Sequence, residues 1–359
     1  MRLIVVSRLQ KAGSDLNWKS YGRAARTLFA LVSGVYALSI LALLAARLIL
    51  VDRVRYVSFA ADFTPLFFVP LIVLFPLALI ARAKRAALIM LPLLIIGLVM
   101  FGRWYVPRAE AAIPADALHV LNFNVLYRNM TLDAALTWVE EQNADVLMLQ
   151  EFRETFDTTR FQAEYPYQAR ADSSQTILGN IILSRYPLEN TGVVTAPNGN
   201  GFLRAELLWN DQRIAVYCVH LPLPIYVEPG ARTNGANPLW WIRTYDTRVR
   251  DSVIRDLLAL AQAETMPVII GGDFNMSEFA TVYPEIAAVL TDSYREAGYG
   301  LGLSWPVAPF FDRIPVALPL TRIDYIWHSD ELRAVRAWQG ATDVGSDHAP
   351  VQAILTWAN

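Results

Sequence analysis

The chain has 359 residues, 54% of them hydrophobic, and a formal charge of −2. It is too apolar for an ordinary soluble protein, and long enough for one large domain beside a membrane anchor. From Glu110 onward 17 arginines and no lysine face 30 acidic side chains, a formal −13; this argues against DNA or RNA as the main substrate, because phosphate contacts supply most nucleic-acid affinity.

The apolar excess lies at the front. Residues 1–26 form a basic segment with Arg2, Arg8, Lys11, Lys19, Arg23 and Arg26. Thr27–Ala46 follows as 20 residues without a charge, enough to cross the hydrocarbon core as a helix. Thr64–Ala81 supplies 18 more, with Pro65, Pro70 and Pro76, which a membrane helix tolerates where neighbours satisfy the freed backbone groups. Ala86–Phe101 supplies 16, flanked by Lys84, Arg85 and Arg103, whose long stems reach outward. Trp104 and Tyr105 stand where an interfacial aromatic belt belongs. The pattern predicts a multi-pass cell-membrane protein, anchored by three transmembrane helices over residues 27–105. Nine basic residues on the N-terminal side against five on the other place the N-terminus in the cytoplasm and the rest of the chain, after three spans, outside it.

A linker over residues 106–117, with Pro107 and Pro114, leads to a domain over 118–359. His119–Val125 alternates like a half-buried strand, Leu132–Gln142 reads as a helix capped by Thr131, and Val146–Leu149 as a short buried strand. Thr176–Ser184, Leu203–Trp209 and Arg213–Val219 read as strands, with Asn210-Asp211 as a hairpin turn. Thr244–Ala263 is the longest helix, and Val268–Ile270, Ile323–Trp327 and Val351–Leu355 complete the strands. Many strands with few helices fit a layered α/β sandwich. The lone Cys218 sits in an apolar strand and has no partner for an intramolecular disulfide.

Six polar signatures end or follow these apolar runs: Asn122-Phe123-Asn124, Gln150-Glu151, His220, Asp273-Phe274-Asn275, Arg322-Ile323-Asp324-Tyr325 and Ser346-Asp347-His348. Carboxylates bind Mg²⁺ through oxygen, and amide and imidazole groups suit phosphoryl oxygens, so the set fits phosphate ester hydrolysis. In this order, over about Leu118 to Trp357, the chain resembles the endonuclease/exonuclease/phosphatase superfamily, a Mg²⁺-dependent fold shared by DNase I-like nucleases, inositol phosphatases and neutral sphingomyelinases. The resemblance implies a four-layer α/β sandwich, with Mg²⁺, or Mn²⁺ in its place, as cofactor. It implies Glu151 as principal metal ligand, Asn124 beside it, and Asp347 near the same ion or a second one. Asp273 would orient or deprotonate the attacking water, Asn275 would donate to a phosphoryl oxygen, and His348, held by Asp324, would stabilise the developing charge. His220 would contact the phosphate from the other side. Leu126 stands where nuclease members often carry an acid, which favours a one-metal site or a phosphatase branch.

Other polar residues have plainer roles. Asn122 and Arg185 read as structural, and His119 and His328 as surface or strand-edge residues. Arg204 and Arg322 either approach the substrate phosphate or pair with nearby acids.

Two loops adjoin the site residues: Leu221–Tyr245, with Trp240 and Trp241, and Gly300–Leu320, with Trp305, Phe310 and Phe311. Such loops either meet lipid or an apolar substrate tail, or pack together as a lid. Three spans followed by this domain resemble the membrane-anchored teicoplanin-resistance proteins, which implies a lipid-linked phosphate substrate, most simply a polyprenyl (undecaprenyl) pyrophosphate. The alternatives are a phospholipid phosphodiesterase of sphingomyelinase type, a nuclease, and an inactive binding module. The bilayer is the expected partner; no nucleic acid and no protein partner are expected.

Overall fold

The computed structural model describes residues 18–50, 54–108, 112–127, 129, 131–152, 157–228, 237–308 and 317–358. Four helices come first: α1 (Trp18–Leu50), α2 (Arg55–Asp62), α3 (Val69–Ile80) and α4 (Lys84–Phe101). The chain divides into two compact units, one of Met1–Leu48 with Pro65–Met100, the other of Ile49–Thr64 with Phe101–Asn359.

The first unit is helical. Leu28, Leu31, Val35 and Leu38 of α1 are each more than half exposed, an apolar surface suited to lipid. Among the described residues two helices are long and apolar enough to cross a membrane, Tyr21–Leu50 and Lys84–Tyr105. The expected middle span differs. Thr64–Phe67 is a 3-10 turn and α3 has only 12 residues, about 18 Å at 1.5 Å per residue, against a hydrocarbon core of about 30 Å. It counts as a third span only if Arg55–Asp62 and Thr64–Ile80 are taken together, bent by 79°. Among the described residues the chain therefore offers two spans, and a third only through this bent pair.

The second unit holds two six-stranded sheets. The first contains β1 (Leu118–Asn124), β2 (Val146–Gln150), β3 (Tyr167–Ala171) and β4 (Asn180–Ser184). The second contains β5 (Leu188–Thr195), β6 (Gly201–Trp209), β7 (Gln212–His220), β8 (Val268–Asp273), β9 (Thr291–Asp292) and β10 (Asp324–His328). β11 (Leu332–Gln339) and β12 (Val351–Trp357) return to the first. The orders are β11-β12-β1-β2-β4-β3 and β5-β6-β7-β8-β10-β9. Val120, Met148 and Ile182 of one sheet meet Leu203, Val216 and Ile269 of the other in a shared core. Helix α5 (Leu132–Glu141) covers the outside of the first sheet through Leu136 and Val139. The second is covered by Ile254 and Leu257 of α7 (Arg248–Ala263), which follows α6 (Pro238–Thr244). The result is four layers, α/β/β/α. Two short helices, α8 (Tyr283–Ala287) and α9 (Ser293–Ala297), complete the set.

The Asn210-Asp211 turn forms as expected: both residues have positive φ, and Trp209 pairs with Gln212. The long helix expected over 244–263 is interrupted at Tyr245 between α6 and α7. Thr131 does not cap α5 through its side chain; its hydroxyl donates to Asn129 Oδ1. Trp104, expected at a lipid interface, is buried in the second unit beneath Arg295, whose guanidinium carbon lies 3.8 Å from the ring centroid. Gly271 allows the sheets to approach, since a Cβ there would strike the Met148 side chain.

Candidate active site

The sheet register gathers the site. β1 runs parallel to β2 with Asn124 opposite Gln150, and β7 parallel to β8 with His220 opposite Asp273. β10 runs antiparallel to β8, so its first residue, Asp324, also faces Asp273. Five polar signatures thus reach one end of the two sheets. The sixth is brought there by Ser346, whose hydroxyl donates to Asn124 O at 2.7 Å and accepts from His348 N at 3.0 Å. Glu151 and Asn275 hold positive φ, 61° and 49°, conformations that non-glycine residues adopt at a cost and that cluster at functional sites.

The contacts are dense. Asn124 Nδ2 donates to Glu151 Oε1 and to Asp273 Oδ2, both at 3.0 Å, while its Oδ1 accepts from Leu126 N. As placed, this amide therefore turns its nitrogen to the carboxylates. Glu151 Oε2 accepts from Tyr127 N at 2.8 Å. His348 Nδ1 lies 3.0 Å from Asp324 Oδ2, and its Nε2 lies 3.7 Å from Asp273 Oδ2. His220 Nε2 lies 3.6 Å from Asp273 Oδ2 and 3.9 Å from Glu151 Oε1. Asn275 N donates to Asp273 Oδ1, and its side-chain amide to Leu221 O at 2.8 Å. Trp305 Nε1 donates to Asp347 Oδ2 at 3.1 Å.

Burial sets the protonation. Taking Asp273 from water pushes its carboxyl up to about 6; His348 and His220 oppose the rise, and Asp324 adds to it. Burial alone would lower His348, but Asp324, Asp273 and Asp347 around it raise it well above the usual histidine range.

Glu151, Asp273 and Asp347 line one end of a cavity of about 490 Å³, with His220, Asn275 and His348. Among the described residues no lysine or arginine lines it, and Asp347 Oδ1 is buried without a hydrogen-bond partner. Carboxylate oxygens at one end of a cavity suit a divalent cation. Among the described residues, the grouping whose ligand atoms all lie within 4.8 Å of one another is Asp273, Asp324 and His348. There both Asp324 oxygens face His348 Nδ1, an arrangement that orients the imidazole.

The remaining polar residues are placed away from the chemistry. Arg322 is buried against Asp292 at 2.6 Å and Glu278 at 3.0 Å, and Arg204 pairs with Glu264 at 2.7 Å and Glu206 at 3.1 Å, so both serve structural pairs. Arg185 meets Asn143 and Glu164, and Asn122 Oδ1 accepts from Gln150 Nε2 at 2.7 Å. His119 is half-buried beside Gln352. His328, expected at a strand edge or surface, is buried and paired with Glu296 at 2.9 Å.

Three groups near the site escaped the sequence reading. Ser304 Oγ accepts from Ile323 N and Asp324 N, fixing the start of β10. Buried Arg250 donates to Asn275 O at 2.7 Å and to Asp251 at 2.9 Å. Asp62, from α2, accepts from Ser277 Oγ at 2.7 Å and from the Tyr245 hydroxyl, and lies 4.0 Å from Arg250. Polar residues flanking the Asp273-Phe274-Asn275 run were visible in the sequence; a partner more than two hundred residues earlier was not.

Comparisons with known proteins bear on the family and the fold. The endonuclease/exonuclease/phosphatase family model matches residues 121–348. Among solved structures, an endonuclease/exonuclease/phosphatase from Bacteroides vulgatus superposes with a TM-score of 0.51 at 15% identity, over 67% of this chain and 99% of that one. TDP2 from C. elegans superposes with a TM-score of 0.50 at 15% identity, over 69% and 77%. These likenesses are of fold. No curated protein matches the sequence.

Proposed function

We propose that this chain, which belongs to the endonuclease/exonuclease/phosphatase family, is a Mg²⁺-dependent phosphohydrolase of a membrane lipid-linked phosphate, most simply a polyprenyl pyrophosphate. The observation that carries the reading is one chain joining this acid–imidazole site to helices long and apolar enough to cross a membrane. The formal −13 of the region after residue 109 disfavours a nucleic-acid polymer.

Glu151 and Asp347 are the proposed metal ligands, with Asn124 holding Glu151 in place. The metal, when bound, supplies charge neutralisation at the phosphoryl oxygens. Asp273 accepts a proton from, or orients, the attacking water. His348, charged and fixed by Asp324, offers Nε2 to the phosphoryl group, and His220 approaches from the opposite side. Asn275 faces the same end of the cavity and donates to a phosphoryl oxygen.

The test is phosphate release from undecaprenyl pyrophosphate by detergent-purified full-length protein, with Mg²⁺ or with EDTA, beside Asp273→Ala. Release that needs both Mg²⁺ and Asp273 is expected. A folded, metal-binding protein that releases no phosphate sinks the pyrophosphatase reading; a phosphomonoester product from a phospholipid would replace it with the phosphodiesterase.

A further inference from the structure

Beyond the acid–imidazole groups the lining is mostly apolar: Phe59 of α2 and Phe63 just after it, Leu223 and Ile225 from the loop after β7, Trp241 from α6, and Leu320 ahead of β10. Asp62, Tyr245, Ser277 and Thr321 also line it, and the last three all hydrogen-bond to Asp62. Phe59 packs on Phe63 at 5.0 Å between centroids and meets the Tyr245 ring edge-on at 5.3 Å. Leu223 is nearly half exposed, at 46%, although it borders a cavity. α2 belongs to the catalytic unit, yet it lies in sequence between two strongly apolar segments.

We infer that this mostly apolar part of the cavity is a hydrocarbon-binding subsite, with α2 as one wall, which takes the part of a lipid chain next to the phosphate. The inference rests on the lipid-phosphate reading for its substrate. The occupant follows from continuity: Glu151, Asp273 and His348 line the same cavity as Phe59, Phe63 and Trp241, so a ligand with its phosphate at the former has an apolar wall to extend along. A sugar or nucleoside would leave hydroxyls and ring nitrogens unpaired against these walls, whereas an alkyl or prenyl chain has none. At about 490 Å³ the space matches small-molecule pockets of about 300–1,000 Å³. It is far too small for a whole polyprenyl tail, so the distal chain stays outside. Phe59 and Phe63 then set chain preference and take no part in bond breaking.

The test uses full-length protein in lipid nanodiscs, with empty nanodiscs as the partition control. Ethyl phosphate and octyl phosphate are titrated calorimetrically, which needs no turnover. Octyl phosphate is expected to bind at least about a hundredfold tighter, since each buried methylene contributes about threefold to fourfold. Phe59→Asn, which adds no charge, is expected to cut that ratio below about tenfold while leaving ethyl phosphate affinity unchanged, and Phe59→Leu to keep it. If the Asn variant proves unstable, a diazirine-tipped octyl phosphate gives an independent result. Labelling at Phe59–Phe63, competed by unlabelled octyl phosphate, supports the subsite; labelling confined to α1 and α4 overturns it. Equal affinities of the two phosphates in the unmodified protein also overturn it. Tight octyl binding without hydrolysis of any lipid phosphate would leave the subsite standing and remove the proposed activity. Hydrolysis with no dependence on chain length would do the reverse.

Discussion

At the scale of single residues, the site is built on opposed carboxylates and imidazoles, and each contact has a measurable consequence. Asp324 touches His348 and not the cavity, so its effect passes through the imidazole. Asp324→Asn is expected to lower kcat by about 10²–10⁴. It is also expected to lower the His348 pKa, seen in a histidine NMR titration; an unchanged titration would show that Asp324 acts only structurally. Away from the site, Asp292 is fully ionised in the fold. Burial opposes its charge, but Arg322 and the Tyr283 hydroxyl overcome that and hold the carboxyl below its ordinary value. The folded pKa lies below the unfolded one, so the stabilisation is complete above the unfolded value of about 3.9 and fades as pH falls through the lower folded value. Asp292→Ala leaves the buried Arg322 with Glu278 alone and is expected to cost about 3 kcal/mol at pH 7, the low end for a broken buried pair. Thermal unfolding from pH 2.5 to 7 should show the two proteins converging at the acid end. His328 shows a limit of reading at this scale: it falls just past the strand read from the pattern, and its burial against Glu296 depends on a partner outside that strand.

At the scale of elements, eight of the twelve strands were legible and four were not, and the distinction is physical. β3, β5, β9 and β11 are the strands that escaped, and they are the four edges of the two sheets. An edge strand has a neighbour on one side only and has no need of a clean apolar face. β5 shows this, with no buried residue from Leu188 to Thr195, and β9 has only two residues. The interior strands were visible because burial on both faces leaves near-continuous apolar runs, as in β2 and β8. Helix α2 was hidden for another reason: its eight residues lie among segments whose hydropathy dominates the pattern, and its partners are distant in sequence. Its role is testable through Asp62, which fastens α2 to Ser277 and lies near the arginine that holds Asn275 O. Asp62→Ala is expected to lower kcat/KM about tenfold or more, in line with the loss of a buried polar contact. The same variant should keep β-sheet circular dichroism, so full activity would show that α2 is a passive neighbour.

At the scale of the whole molecule, chain order constrains topology beyond the count of basic residues. The segment 49–64 and the region after residue 100 belong to one compact unit, so both stand on the same side of any membrane. The chain between them, residues 65–100, must then cross an even number of times or not at all, whatever part the short α3 takes. If α1 crosses once, the second unit is expected to lie opposite the N-terminus, which is also the expectation from charge. Cysteines introduced singly at Arg23 and Asn198, both exposed, are expected to react with an impermeant maleimide from opposite sides of sealed vesicles. The native Cys218 is buried and should give little background. Labelling of both from one side would overturn the arrangement.

The placement of α2 also bears on how the protein comes into being. One wall of the catalytic cavity is synthesised before residues 65–100, and the sheets that complete it come afterwards. The early wall therefore waits, with Phe59 and Asp62 unpartnered, through most of translation. The catalytic unit closes only around a looped-out segment, and closing a loop of this length carries an entropic cost that the later contacts must offset. A fragment begun at the first strand would lack that wall and expose the groups it covers, so the second unit is incomplete without residues 49–64. Completion of the cavity is tied to chain on both sides of residues 65–100.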